Sequence, residues 1–449
     1  MPMKTKFDVI VIGSGVAGMT VALNLAQHHK QVAVVESRSH LGGTTINSGS
    51  TGKKSLLAVA EAHYQARLFQ NYGLAKIPAI DWDTIGLNRD EIVSSGAIHV
   101  RQELLNNDVT IISGTASFVD KNSVKVNEML YTADTFVIAS GSKPRLLSVP
   151  GKEYVQTSNE LLNLPILPNQ TVLIGAGIIG FALASLLCEA GVKVSIIQHN
   201  NRALREFDEN LVNKLINHLQ NEGVEFYFDS ELTNVSKTTN GLHVQFTHQQ
   251  TIEADSVFVV AGRIANVDNL KLASIGVDTS TTGIKVNDQL QTSVPNIYAL
   301  GDCCDAPVPK LSNYATFQAK YLGNMICSSD TYPIKYPVPA MTVFSLPKLG
   351  LVGISGSIAR NQPEKYEVKL IDMHQWQSYR RKRQPIADLE LIIRRSDDHV
   401  VGAEVLSDDA DLLVNYMAIL INLNVTSSKL NEMMFAYPSM ADDIFGFWQ

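Results

Sequence analysis

The chain has 449 residues, 45% of them hydrophobic and 18% charged, which suffices to bury the cores of two or three domains and excludes intrinsic disorder as its theme. Its 37 basic and 44 acidic residues leave a net charge of −7, so small soluble partners are expected and a basic nucleic-acid surface is not. The four cysteines, Cys188, Cys303, Cys304 and Cys327, have neither zinc-site nor disulfide-framework spacing, which suits a reducing compartment.

Residues 1–6 are too short and polar for a secretory signal, and the chain reads as cytoplasmic, with no membrane association. A β-rich apolar run over 7–12 leads into Gly13-Ser14-Gly15-Val16-Ala17-Gly18, then a helical pattern over 19–28 and a strand over 31–35 that ends at Glu36. This order is a dinucleotide-binding βαβ unit. The glycines let the backbone approach a pyrophosphate, the helix N-terminus supplies free N–H groups, and Glu36 accepts hydrogen bonds from ribose hydroxyls. The longest apolar run, 172–188, approaches membrane-span length, but Gly175, Gly177 and Gly180, with Ile178 and Ile179 between them, repeat the first spacing. It reads as strand, turn and buried helix, so a second dinucleotide unit is expected. Gln198 stands there where Glu36 stands in the first unit. It lacks the charge that would repel a 2′-phosphate, and His199, Arg202 and Arg205 follow, which leans towards NADPH. Glu206 and Asp208 dilute that patch, so NADH stays open.

Further along, the segment Gly42-Gly43-Thr44-Thr45-Ile46-Asn47-Ser48-Gly49-Ser50, followed by Lys53-Lys54, resembles the redox-active segment of the pyridine nucleotide–disulfide oxidoreductases. That family spans dihydrolipoamide dehydrogenases, glutathione reductases and soluble pyridine nucleotide transhydrogenases. Three further segments are similar to its motifs: Ile138-Ala139-Ser140-Gly141-Ser142-Lys143-Pro144, Ala261-Gly262-Arg263-Ile264-Ala265-Asn266, and Asn296-Ile297-Tyr298-Ala299-Leu300-Gly301-Asp302. The resemblance implies an α/β fold with two Rossmann-like dinucleotide-binding domains and a C-terminal α+β dimerisation domain. FAD would bind through 1–150 and the return segment 267–331, a nicotinamide nucleotide through 151–266, and the homodimer would form through 332–449. In the last of these, 338–353 reads as strand-turn material, 389–405 as two strands and 411–423 as a helix. Asp302 would accept from the ribityl chain, and Ala116 is grouped with the FAD-contacting residues.

The departures from the family bear on the chemistry. Thr45 and Ser50 occupy the positions of its two cysteines, and hydroxyls form no disulfide. Gly52 replaces a proline, which loosens the start of the following helix. Lys54 matches the lysine at the flavin edge, while the glutamate that usually partners that lysine is Ala182 here. A protonated Lys54 would stabilise negative charge on reduced FAD; the alternative is a solvated side chain. In the tail, Tyr437 stands for the family's histidine, with Pro438 and Asp442 following, and a phenol is a poor general base at neutral pH. This tail is similar to that of the soluble transhydrogenases. Tyr437 either lines a pocket across the dimer or packs in its interface.

The run Arg380-Arg381-Lys382-Arg383 is balanced by Asp397-Asp398 and Asp408-Asp409 and reads as a solvated loop, and the eleven histidines show no metal spacing, so no metal is expected. The whole reads as an FAD-dependent NAD(P)H oxidoreductase that passes hydride to FAD and on to a small-molecule acceptor that is not a dithiol, in the manner of a transhydrogenase. The alternatives are a diaphorase reducing quinones or metal ions, and a non-catalytic FAD- and nucleotide-binding module.

Overall fold

A computed structural model describes residues 5–328, 332–443 and 446; residues 1–4 of the polar N-terminal stretch lie outside it. The chain forms two compact units. The first comprises the segments up to Ser55, Gly86–Arg145 and Arg263–Tyr336; the second comprises Leu56–Ile85, Leu146–Gly262 and the chain from Pro337.

The first unit is built on a seven-stranded sheet. Its parallel strands run Thr110–Ser113, Val32–Glu36, Lys6–Ile12, Met129–Ile138 and Ile297–Ala299 in spatial order, and an antiparallel meander, Ser123–Val126 and Ala116–Asp120, extends the Met129–Ile138 strand. Val32–Glu36 has every residue buried, as a parallel strand covered on both faces requires. The helix Val16–Gln27 buries Ala17, Gly18, Val21, Ala22 and Leu25 against one face, and Ile10, Ile12, Phe136 and Ile138 belong to a cluster on the other. Register brings Ile12, Val35, Ile138 and Ala299 level with one another. The chain therefore leaves four strands at one edge, and the residues just beyond them are Gly13, Glu36, Ala139 and Leu300. That carboxyl edge is where open α/β sheets bind ligands.

The second unit repeats the plan. Five parallel strands lie in the order Glu225–Tyr227, Lys193–Ile197, Gln170–Ile174, Ser256–Val259 and Val155–Thr157, with Ile174, Ile197, Tyr227 and Val259 level at the carboxyl edge. The helix Ile178–Glu189 buries all eight residues from Gly180 to Leu187, which explains why its sequence reads as apolar all round. A five-stranded antiparallel sheet, Ala340–Val343, Lys348–Gly353, His399–Ser407, Asp388–Arg394 and Tyr366–Asp372 in spatial order, is covered by the helix Ala410–Asn422. The strand-turn material expected over 338–353 holds two of these strands, the two strands expected over 389–405 and the helix over 411–423 are present, and Tyr366–Asp372, whose half-exposed residues lack a clean alternation, was not anticipated. The basic run is a short helix, Gln377–Arg380, and a turn; Lys382 pairs with Asp409 at 2.7 Å, and Arg383 lies 3.4 Å above the Tyr72 ring.

Candidate functional site

The two glycine loops have the same backbone. Gly13 and Gly175 have φ of +109° and +120°, and a Cβ on either would strike the strand beside it, at Ala139 and Ala261 respectively. Both following helices start at a glycine, Gly15 or Gly177, with no side-chain cap, so no capping oxygen takes up their first-turn N–H groups. A Cβ on Gly177 would meet nothing within 4 Å, which leaves the space above the second loop open to a ligand. Val16 and Ala17 in the first loop, and Ile178 and Ile179 in the second, open the helices whose dipoles point there.

In the first unit the site residues converge. Glu36, which is buried, accepts from Ser14 N at 3.0 Å and Ser14 Oγ at 2.6 Å through Oε2, and from Arg38 N at 3.0 Å through Oε1. Ser14 Oγ also accepts from Gly42 N at 3.2 Å, so one hydroxyl ties the first loop, the ribose acid and the Gly42-Gly43 segment together. Ser14 was not singled out in the sequence, although its place between two loop glycines was the available signal. A Cβ on Gly43 would come within 2.6 Å of Gly15 Cα, so these segments pass backbone to backbone. Thr45 lies on the short helix Gly43–Asn47, its hydroxyl 3.2 Å from Ser312 Oγ, and Ser50 opens the helix Ser50–Leu68. From the other side, Ser142 Oγ donates to Asp302 Oδ2 at 2.8 Å, and Arg263 donates to Ser142 Oγ at 2.8 Å and Thr44 Oγ1 at 3.3 Å. Gly141, with φ of +68°, and Gly301, with φ of +73°, make the two turns that deliver Ser142 and Asp302. Ser140 Oγ is buried beside the Cys303 thiol, with no oxygen or nitrogen partner among the described residues. The uncapped helix, the glycine cradle and the ring of donors and acceptors around Glu36 and Asp302 fit a dinucleotide such as FAD.

Lys54 is half-buried on the same helix as Lys53, whose ammonium burial pushes down to about 8. Ala116 opens a core strand and is buried. Cys303 and Cys304 follow Asp302 as free, buried thiols; burial pushes the Cys303 thiol up and that of Cys304 up to about 12, so neither is a thiolate at neutral pH.

In the second unit, Gln198 reproduces the geometry of Glu36 without its charge. Its Oε1 accepts from Ala176 N at 2.9 Å, the counterpart of Ser14 N, and its Nε2 donates to Asn200 Oδ1 at 2.8 Å. Arg202 turns back to donate to the Phe207 carbonyl, while His199 and Arg205 are exposed. Gly262, with φ of +94°, ends the segment. Tyr437 is 76% exposed and donates to Gln377 Oε1 at 3.1 Å, and Asp442 N donates to Ser439 Oγ at 3.2 Å. Among the described residues, no cluster of three His, Cys, Asp or Glu side chains is placed to hold a metal ion, and no helix is long and apolar enough to cross a membrane.

The sequence model of the pyridine nucleotide-disulphide oxidoreductases matches residues 7–319, and that of the dimerisation domain of the same family matches 339–445. Among curated relatives, the chain is 29% identical to a glutathione reductase of Nostoc sp. over 98% of its own length and 99% of the relative's. It is 27% identical to a dihydrolipoyl dehydrogenase of Geobacillus stearothermophilus, covering 97% and 94%. Among solved structures, the HOCl-induced flavoprotein disulfide reductase RclA of Escherichia coli superposes with a TM-score of 0.90 at 22% identity, over 98% of this chain and all of that one.

Proposed function

Because the chain belongs to the pyridine nucleotide-disulphide oxidoreductases, enzymes that bind FAD and use NAD(P)H, we propose that it is a member working without the redox disulfide, delivering electrons to a small acceptor that is not a dithiol. The observation that carries this reading is the pair Thr45 and Ser50 in the segment beside the first glycine loop. The adjacent thiols Cys303 and Cys304 offer no substitute, being buried and held protonated. FAD, when bound, supplies the hydride acceptor and passes the electron pair on.

The roles left to the chain are binding and orientation. The first loop, Glu36 and Asp302 hold one dinucleotide in a domain split between residues 1–150 and 267–331; the second loop and Gln198 hold the nicotinamide nucleotide in 151–266. Hydride transfer requires no side-chain base, so replacing the family histidine with exposed Tyr437 costs this reaction nothing. The favoured acceptor is a second, oxidised nicotinamide nucleotide, with quinones or metal ions as the close alternative.

The test is anaerobic stopped-flow absorbance of the purified yellow protein against NADPH and NADH separately, followed by the oxidised form of the other nucleotide. Rapid bleaching followed by recovery of the flavin band on that addition supports the reading. Turnover with oxidised glutathione or lipoamide that exceeds the nucleotide rate and is abolished when the NAD(P)H-reduced protein is treated with a thiol-alkylating reagent would overturn it.

A further inference from the structure

The stretch of chain between residues 145 and 263 leaves the first unit and re-enters it. Where it leaves and returns, Ser142–Pro144 and Arg263–Ala265 pair as a two-stranded antiparallel ribbon, with Ser142 opposite Ala265 and Pro144 opposite Arg263. Asn266 N donates to Gly141 O at 2.9 Å, and Lys143 pairs with Asp268. This ribbon is a neck, and Arg263 is the first residue on the return path.

The Arg263 side chain spends its donors inward. Nε donates to Ser142 Oγ at 2.8 Å, and Nη2 donates to Ser142 O at 2.7 Å and Thr44 Oγ1 at 3.3 Å. A guanidinium has no acceptor, and a serine hydroxyl has one proton. Because Ser142 Oγ accepts from Arg263, its proton goes to Asp302 Oδ2, 2.8 Å away. The polarity of the chain is thereby fixed as cation, hydroxyl, carboxylate. Burial pushes the Arg263 guanidinium down from its ordinary range and the charge of Asp302 pulls it back up, as expected for two groups that feel each other through one hydroxyl. The backbone of Asp302 is held separately: Gly301 N donates to Gln318 Oε1 at 2.7 Å, and Lys310 Nζ donates to Asp302 O at 2.9 Å. Ser142 and Arg263 therefore decide only where the carboxylate points.

We propose that Arg263 is a positioning residue which, acting through Ser142, aims the Asp302 carboxylate at the bound FAD and fastens that contact to Thr44 and to the neck. The inference rests on the FAD site described above. It makes FAD retention and the order of the neck two readings of one network, since a ligand that tightens Asp302 must tighten what holds it. It also explains an arginine that, among the described residues, makes no ion pair: its charge serves the carboxylate at one remove.

The experiment measures FAD release from the holoenzyme by the gain of flavin fluorescence, for wild type, Ser142→Ala, Arg263→Met, the double variant and Ser142→Thr. Losing a hydrogen bond to a charged group is worth about tenfold, so each single removal should speed release about tenfold. The double variant should also come out near tenfold rather than about a hundredfold, because both changes cut the same chain. Ser142→Thr keeps the hydroxyl on an extended strand and should stay within about threefold of wild type. Additive effects, or release in Ser142→Ala indistinguishable from wild type, would overturn the proposal; should Arg263→Met not fold, the contrast between Ser142→Ala and Ser142→Thr decides it. Wild-type protein that purifies without FAD would instead refute the FAD reading itself.

Discussion

At the scale of single residues, the two glycine loops differ most where a nucleotide's ribose would be read. Glu36 and Gln198 accept from equivalent backbone N–H groups, Ser14 N and Ala176 N, so both residues close their loops and only one brings a negative charge. A 2′-phosphate beside Glu36 would meet a carboxylate, whereas beside Gln198 it would meet an amide, with exposed His199 and Arg205 close by in sequence. Arg202 is already committed to Phe207 O, which narrows the cationic candidates to those two. Gln198→Glu retains the acceptor for Ala176 N and forfeits the bond to Asn200, a cost that falls equally on both nucleotides. The added charge falls on NADPH alone, so the rate constant for flavin reduction per concentration of NADPH should drop at least about tenfold while that for NADH changes by less than about threefold. Equal losses in stopped-flow titrations with the two nucleotides would assign Gln198 to loop closure only. These loops were legible in the sequence because positive φ and backbone contact leave glycine little competition at Gly13 and Gly43. The bond from Arg263 to Ser142 was not, since 121 residues separate the partners and neither has a pattern that names the other.

At the scale of elements, the second unit contains a knot of acids that no periodicity announces. Glu390 and Glu404 face one another across adjacent antiparallel strands, both fully buried, with Asp208, the N-cap of the helix Glu209–Asn221, beside them. Arg360 is the one cation paired with them among the described residues, with Asp208 and, at 2.8 Å, with Glu390. Glu404 accepts from Asp208 N at 2.8 Å and Gly356 N at 2.9 Å, and Ser357 Oγ donates to Asp208 Oδ2 at 3.1 Å. Burial pushes the Glu390 carboxyl up to about 7 and that of Glu404 up to about 8. Their folded-state values lie above the unfolded ones, so between about pH 4.5 and 8 the folded protein holds more protons than the unfolded chain. Stability from this cluster is therefore complete in acid and declines as pH rises through that window. Glu390 Oε2 has no donor among the described residues and interacts with the Asp208 side chain, so Glu390→Gln would keep the bond from Arg360 to Oε1 and present an N–H to Asp208. Thermal unfolding should then lose less midpoint between pH 5.5 and 8 than wild type does, with a gain of about 2–5 °C at pH 8; an unchanged pH slope would remove Glu390 from the account. In a sequence such as that of Asp388–Arg394, glutamate between apolar residues reads as the solvent side of a strand, and only the second sheet partner and Arg360 reveal otherwise. The helix Trp82–Asn106 escaped for a related reason: its exposed Leu87, Ile98 and Leu105 blur the apolar stripe that would mark its buried side.

For the whole molecule, the match to the dimerisation domain supports a homodimer, and the helix Ala410–Asn422 supplies a surface suited to it. One side of that helix buries Leu413, Val414, Met417 and Leu420 on its own sheet, and the other exposes Leu412, Tyr416, Ile419 and, at the C-cap, Leu423. These four recur at intervals of four, three and four residues, so they form one continuous stripe along the helix. A large apolar stripe facing water is costly in a monomer, and a two-fold axis through it lets the same residues cover one another. Placing like charges in such an isologous contact doubles the penalty, since each substitution appears on both sides. The double change Leu412→Asp and Ile419→Asp should accordingly shift the protein from dimer to monomer in light scattering at micromolar concentration. The FAD-contacting candidates, from Gly13 to Asp302, belong to the first unit and this helix to the second, so flavin content per chain should be retained when the dimer is lost. A variant that stays dimeric would place the two-fold contact elsewhere on the dimerisation domain. One that becomes monomeric and loses its flavin would mean that the first unit holds FAD only when the second is paired.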